Sequence, residues 1–311
     1  MMSVLKPYQL FLAVIAVALY LRLCGMWFGL PYVLNPSEAD YVGKIFYLYK
    51  HFLNPHTATV PGLFLYLNLL VTIISNGTFD INSLISHLEV SPNMIYIPLR
   101  LVSLIFGIGA IIILYFIGSM FSTLAGLLAS GFLSVSLIHV AFSQMFLPFS
   151  AMVFFSLAST FFALKTLSCD EHRHFTASIV FAALSTGMHY IGFVSVIPIL
   201  FVMALKKDFS KLKPTLIKFC VLFFLLNLYS VFHVLYSLPG LIRNYFLSYR
   251  YHHSGSYLLY LLKFLPLGVG PVVWLSAFSL LKYKKNYDLN VLAYPTKRES
   301  WKKILPCLSV V

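Results

Sequence analysis

The segment Asn35-Pro36-Ser37-Glu38-Ala39-Asp40-Tyr41 places two carboxylates directly after the first membrane-length apolar run. Only nine Asp and Glu occur among 311 residues, and charge beside a bilayer is costly to hold, so the pair asks for a chemical reason. An ionised carboxylate at head-group depth suits one chemical role above others, that of accepting the proton of a hydroxyl that attacks a sugar anomeric carbon while a lipid phosphate leaves. The departing phosphate needs cations or donors, and Arg243, Arg250, His252 and His253 in a later polar segment are candidates. Solvated loop charge accounts for those four equally well.

Read locally, Asn35 can cap a helix, Pro36 suits its first turn, and Glu38 stands where its side chain can return to the cap amide. Successive helical residues rotate by about 100°, so Glu38 and Asp40 point to nearly opposite sides while Ser37 and Asp40 share a face. The aromatic and basic run Tyr41 to Lys50 fits a helix lying in the membrane interface, which would hold the acids at head-group depth.

The elements that must position these groups are membrane helices. Sixty per cent of residues are apolar and 10% charged, with a mean hydropathy of +0.87, against roughly 25% charged residues in a soluble domain. The expected fold is all-α: a polytopic transmembrane bundle of about eight spans, near 8–30, 60–75, 97–117, 123–141, 146–166, 176–205, 215–237 and 257–281. The acidic first outer loop occupies 31–59, the transmembrane domain runs over 1–281, and 282–311 reads as a basic tail or the start of a further span. The net charge of +13 belongs to short inter-span segments that orient the chain and meet anionic lipid, rather than to nucleic-acid binding.

Topology depends on the stretch 176–205, which Gly187-Met188-His189-Tyr190 and Pro198 interrupt. As one broken span with an internal N-terminus, it leaves Lys6, Arg100 and the lysine clusters of 206–218 and 282–303 inside. Lys44, Lys50, Lys165, Arg173, Arg243 and Arg250 then fall outside, a bias that favours this arrangement over two short helices. It puts the acidic loop, the Asp170 to His174 loop and the Arg243 to His253 loop on one outer face, and the sequon Asn76-Gly77-Thr78 at the inner edge as a chance match.

Arg22, near the outer end of the first span, can reach a lipid phosphate or simply snorkel to the interface. His189 and Tyr190 interrupt an apolar segment, where polar groups should face a cavity or another helix; a donor-site role is the alternative to plain packing. Cys24, Cys169, Cys220 and Cys307 have no short pair spacing, so neither a disulfide framework nor a zinc site is written locally. His51, His56 and His139 could ligate a metal only if distant segments met. No cofactor is required by the chemistry, and a divalent metal is left open.

At the acidic loop the chain resembles the GT-C glycosyltransferases that use polyprenyl-phosphate sugars, in particular the protein O-mannosyltransferase and aminoarabinose-transferase-like group. The resemblance runs through Arg22-Leu23, Gly29-Leu30-Pro31, the acidic segment where that group carries Pro-Asp-Glu-x-x-Tyr, Pro61-Gly62-Leu63-Phe64-Leu65-Tyr66 and Arg100-Leu101-Val102-Ser103. It continues through Ala125 to Ala129, Ser136 to Ser143 and Gly187-Met188-His189-Tyr190, covering about residues 8–281. Three departures stand out. Ser37 occupies the position of the family's Asp, leaving Glu38 as the matched second acid and Asp40 as a substitute on the face of Ser37. Met145 to Ser150 holds no acid where relatives often have one, and family members usually continue through further spans.

The resemblance implies an inverting membrane glycosyltransferase, with Glu38 or Asp40 as base and Arg22, His189 and Tyr190 as donor-binding residues, beside Arg243, Arg250, His252 and His253, which are candidates on their charge alone. Its partners would be a polyprenyl-phosphate-linked sugar, a lipid, glycan or protein acceptor, and membrane lipids. The expected location is a plasma (inner) membrane with the N-terminus cytoplasmic. Two alternatives stay open: a non-catalytic or truncated relative, and a transporter or lipid-handling protein whose broken helices near Gly187 to Pro198 line a path.

Overall fold

The computed structural model of this chain describes residues 6–51, 53–54, 60–168, 172–207, 209–210 and 212–229, and among these there is no strand. The helices are α1 (Pro7–Cys24), α2 (Pro36–Lys50), α3 (Gly62–Asn76), α4 (Ile81–Val90), α5 (Asn93–Ser119), α6 (Thr123–Val135), α7 (Leu137–Gln144), α8 (Phe149–Ser168), α9 (His172–Met188), a 3-10 turn (Tyr190–Ser195), α10 (Val196–Lys206) and α11 (Leu212–Leu226). The all-α expectation holds. Among the described residues α1, α5 and most of α8 are each long and apolar enough to cross a membrane. The bent pairs α3/α4 (78°) and α6/α7 (60°) raise the candidates to five if each pair is one span. The expected span at 257–281 and the end of that at 215–237 lie outside the described residues.

Local chemistry fixes the breaks. Gly77 takes a left-handed conformation (φ 63°) that ends α3, and the Asp80 carboxylate accepts from the amides of Asn82 and Ser83 to start α4. The Ser122 hydroxyl accepts from the Ala125 amide at the head of α6. The preceding turn is tight: a Cβ on Gly118 would lie 2.7 Å from the Cα of Gly126, so two backbones meet where only glycine fits.

Side-chain contacts give each helix a direction. Phe11 stacks on Tyr115 at 4.0 Å, while Arg100 Nη1 donates to the carbonyls of Met26 at 2.6 Å and Phe28 at 2.9 Å just past the other end of α1. Helices α1 and α5 are therefore antiparallel, so the chain leaves α1 and enters α5 on one face. Phe106 meets Phe154 and Phe116 meets Phe161, so α8 runs parallel to α5. Helix α9 runs back along α8 through Ser159–Ser178 and Ser156–Ser185 contacts. The chain then reverses at His189, since the Ser195 hydroxyl reaches Ala182 O and Ser159 bonds both Ser178 and Ser195 carbonyls. These hydroxyls bond backbone carbonyls and one another across the helices of an apolar bundle, joining elements that have no hydrophobic drive to associate in lipid.

Two topology expectations are corrected. The stretch 60–75 does not carry the chain to the opposite face: Arg100, expected inside, touches Glu38 on the face expected outside. The sequon moves with it, because Asn76 Oδ1 lies 3.1 Å from His87 Nδ1, just ahead of α5 on that same face. The stretch 176–205 is also not one broken span but an antiparallel pair, α9 and the 3-10/α10 segment. The two changes cancel in parity. Lys206 and Lys207 return to the face of Lys6, while His172, Arg173 and His174, expected beside the acidic loop, sit at the far end of the bundle. Charge counting could not detect two compensating errors, because the net bias after them is nearly the same.

A core at the acidic-loop face gathers α2, α3, α4, α5 and the α7–α8 connection around Tyr41, Ile45, Leu48, Phe64, Leu65, Leu84, Leu99 and Phe146. A second core, with Ile179, Ala183, Val196, Ile199 and Phe219, holds the α9/α10 pair against α11.

Candidate functional site

Helix α2 separates the two acids as its periodicity requires. Glu38 falls on the buried stripe with Tyr41, Val42, Ile45 and Leu48; Ser37 and Asp40 lie on the exposed side. Asn35 caps the helix by accepting from the Ser37 amide at 3.0 Å. The expected return of Glu38 to the cap amide is replaced by a tertiary arrangement, since a buried cation has a stronger claim on a carboxylate than an exposed amide.

That cation is Arg100. Its Nε donates to Glu38 Oε1 at 2.9 Å and its Nη2 to Oε2 at 2.7 Å. The Phe146 amide adds a third bond to Oε1 at 2.6 Å. Both side chains are shut off from solvent, at 2% and 0% exposure. With Nη1 bound to the Met26 and Phe28 carbonyls, one guanidinium ties α5, α2, the loop after α1 and the α7–α8 connection together. Burying such a pair is tolerated only when the remaining donors and acceptors are also satisfied, as they are here.

Asp40 is oppositely placed. Its side chain is 58% exposed and bonds Lys44 one turn later, while the Lys44 ammonium also lies 5.4 Å from the Tyr41 ring centre. The Tyr41 ring packs edge-on to Phe64 and Phe146. Burial, aided by the nearby Asp40 charge, raises its phenol to about 12.

His189 and Tyr190 share this end of the bundle. The His189 ring lies 5.1 Å from Phe149, three residues after Phe146, and its Nδ1 accepts from the Ile191 amide at 3.3 Å, capping the 3-10 turn. The Tyr190 hydroxyl is buried with no partner among the described residues. Arg22 is buried deeper in the bundle, with Nη1 donating to Ala18 and Ser134 carbonyls at 3.0 Å. Arg243, Arg250, His252 and His253 lie outside the described residues. Among the described residues no group of three His, Cys, Asp or Glu is arranged to hold a metal ion.

Sequence reasoning missed Arg100 and the Phe146 amide. Arg100 carried a usable signal: a lone arginine eight residues into an apolar helix needs an anion or a set of carbonyls, and few acids were on offer. The Phe146 amide carried none, because a backbone donor has no sequence signature.

Residues 93–234 match a family model described as dolichyl-phosphate-mannose-protein mannosyltransferase. No curated protein matches the chain, and no solved structure does. The matched stretch includes Arg100, Phe146, His189 and Tyr190 and begins after the acidic loop. The chain is an integral membrane protein of apolar helices, and over residues 93–234, less than half of its length, it is similar to the dolichyl-phosphate-mannose-protein mannosyltransferases, a glycosyltransferase family of the GT-C type.

Proposed function

We propose that this chain transfers a sugar from a polyprenyl-phosphate donor to an acceptor hydroxyl at the acidic-loop face, with Asp40 as the base and Glu38 as the group that fixes helix α2. The observation that carries this reading is the division of labour between the two acids. Glu38 already receives three hydrogen bonds in a closed setting, whereas Asp40 stands at the surface where an acceptor can approach. In the step proposed, the acceptor O–H proton passes to Asp40 as the acceptor oxygen bonds the anomeric carbon. The anomeric C–O bond to phosphate breaks, and the polyprenyl phosphate departs with the electron pair, inverting the centre. His189 and Tyr190 on the same face, with Arg243, Arg250, His252 and His253 further along the chain, are the proposed donor-binding groups.

The acidic-loop face is the outer or lumenal one in this reading, of a plasma (inner) membrane with the N-terminus cytoplasmic. Support comes from the opposite face, which collects Lys6, Lys206, Lys207, Lys213 and Arg173. The test is transfer of labelled sugar from polyprenyl-phosphate donors in membranes carrying the wild type, Asp40→Asn or Glu38→Gln. Asp40→Asn should abolish transfer with the protein still folded; undiminished transfer by that variant refutes the assignment of the base.

A second reading, a non-catalytic relative, is favoured by Ser37, exposed on α2 where the family resemblance places an acid. Wild-type membranes inert toward every polyprenyl-phosphate sugar, while the Glu38–Arg100 pair remains intact, would select it.

A further inference from the structure

Helix α6 stops at Val135 and α7 starts at Leu137, bent by 60° within the apolar bundle. Such a break strips the last carbonyls of α6 of their helical partners, and with no water at hand each unpaired group is expensive. Arg22, 0% exposed, lies against this break. Its Nη1 donates to Ser134 O at 3.0 Å and its Nη2 lies 3.5 Å from Leu133 O. Among the described residues it has no carboxylate partner, so the negative end of the α6 dipole is what offsets its charge.

The same guanidinium holds α7. Nη2 lies 2.7 Å from His139 Nδ1, and because arginine only donates, Nδ1 accepts and the imidazole is neutral with its proton on Nε2. The preceding residue adds a second fastening, Leu21 O accepting from Gln144 Nε2 at 2.7 Å. Two residues after Gln144 comes Phe146, whose amide donates to Glu38. A continuous set of bonds thus runs from Arg22 through α7 to the Glu38 carboxylate.

We infer that Arg22 is a positioning residue: it sets the angle of α7 at the break and thereby aims the Phe146 amide at Glu38, rather than holding the phosphate of a donor. The catalytic consequence rests on the transferase reading above; the structural one does not. Without the guanidinium fork, α7 shifts to find donors for the α6 carbonyls, the Phe146 amide leaves Glu38 Oε1, and the carboxylate loses one of its three hydrogen bonds and opens to reagent.

The test uses full-length protein in membranes, as wild type, Arg22→Lys and Arg22→Met, treated with an apolar carbodiimide that modifies the carboxyl groups it can reach. Modification of Glu38 is read by mass spectrometry, and the fold is checked by gel filtration in detergent. Expected is low labelling of Glu38 in the wild type, a several-fold rise in Arg22→Met and a smaller rise in Arg22→Lys, which keeps the charge and loses the fork. Labelling of Glu38 unchanged in both folded variants overturns the inference. Where transfer is measurable, the positioning role lowers kcat and leaves the KM for the lipid-linked donor unchanged; a raised donor KM at constant kcat would show phosphate binding and also overturn it. Inert wild-type membranes would sink the transferase reading alone, since the labelling still decides the role of Arg22.

Discussion

Glu38 and Arg100 stand 62 residues apart in sequence and are joined at both carboxylate oxygens, at 2.9 and 2.7 Å. Among the described residues this pair orders the acidic-loop end of the bundle. It fixes the start of α2 to the first turns of α5, and through Phe146 and the carbonyls of Met26 and Phe28 it draws two connections onto the same point. The consequence for Asp40 follows from helical rotation: anchoring Glu38 inward holds the other acid outward.

Removing Arg100 alone should therefore cost more than removing both members. Arg100→Met strands a buried carboxylate and should destabilise by about 3–5 kcal/mol. Glu38→Gln costs less, because the amide oxygen still accepts from Phe146. The double variant Glu38→Gln/Arg100→Met should recover part of the loss. Reversible unfolding in detergent, analysed as a double-mutant cycle, measures the coupling; additive losses would mean that the pair does not act as a unit.

The direction assigned to residues 25–92 gives a second expectation. In a background lacking Cys24, Cys169, Cys220 and Cys307, Ser37→Cys and Thr78→Cys should react with an impermeant maleimide from the same side of sealed membranes. Ser122→Cys and Lys207→Cys should react only after permeabilisation. A Thr78→Cys that labels from the side of Lys207 would restore the full crossing at 60–75 and contradict the shared face of Glu38 and Arg100.

Much of this organisation was legible in the chain. The scarcity of acid singled out Glu38 and Asp40, the helical period placed them on opposite sides of α2, and the apolar runs gave the helical class. What was not legible shares one cause: it depends on contacts across long sequence distances. Residues 60–75 are as apolar as a crossing helix, and only the contact of Arg100 with Glu38 tells that the segment returns. His189 interrupts an apolar stretch equally well as a kink or as a reversal; serine contacts between α8, α9 and the 3-10 turn decide for reversal. Arg22 read as an interfacial cation because a helix break that needs donors, at Ser136, lay more than a hundred residues away.

Tyr41 supplies a pH expectation. Its phenol is raised from 10.0 to about 12, first by burial and then by the Asp40 charge. The folded state thus keeps its proton where the unfolded chain has lost it, so this contribution is fully present below the unfolded value of 10.0 and is lost as pH rises toward about 12. Tyr41→Phe should lessen the fall in stability over that window. A wild type and a variant whose unfolding midpoints decline in parallel would show that Tyr41 is not held neutral by its surroundings.

The last expectation concerns which position on α2 the base must occupy. Ser37 and Asp40 are three residues apart and so about 60° apart around the helix, on its exposed side, while the inward Glu38 anchors both alike. If the proton acceptor needs only this face and depth, moving the acid by one turn should preserve function: Ser37→Asp/Asp40→Asn should transfer sugar where Asp40→Asn alone does not. The exchange leaves the net charge of α2 as it was and breaks the Asp40–Lys44 pair, so Lys44→Met in the Asp40 background controls for loss of that surface pair, itself worth at most about 1 kcal/mol. Transfer regained by the exchange, in Lys44→Met and Lys44 backgrounds alike, would assign the chemistry to an acid on the outer face of α2. Failure of the exchange with Asp40→Asn already inert would confine the base to position 40, and activity in Ser37→Asp exceeding that of an inert wild type would mark this chain as a relative that keeps the scaffold and lacks one carboxylate.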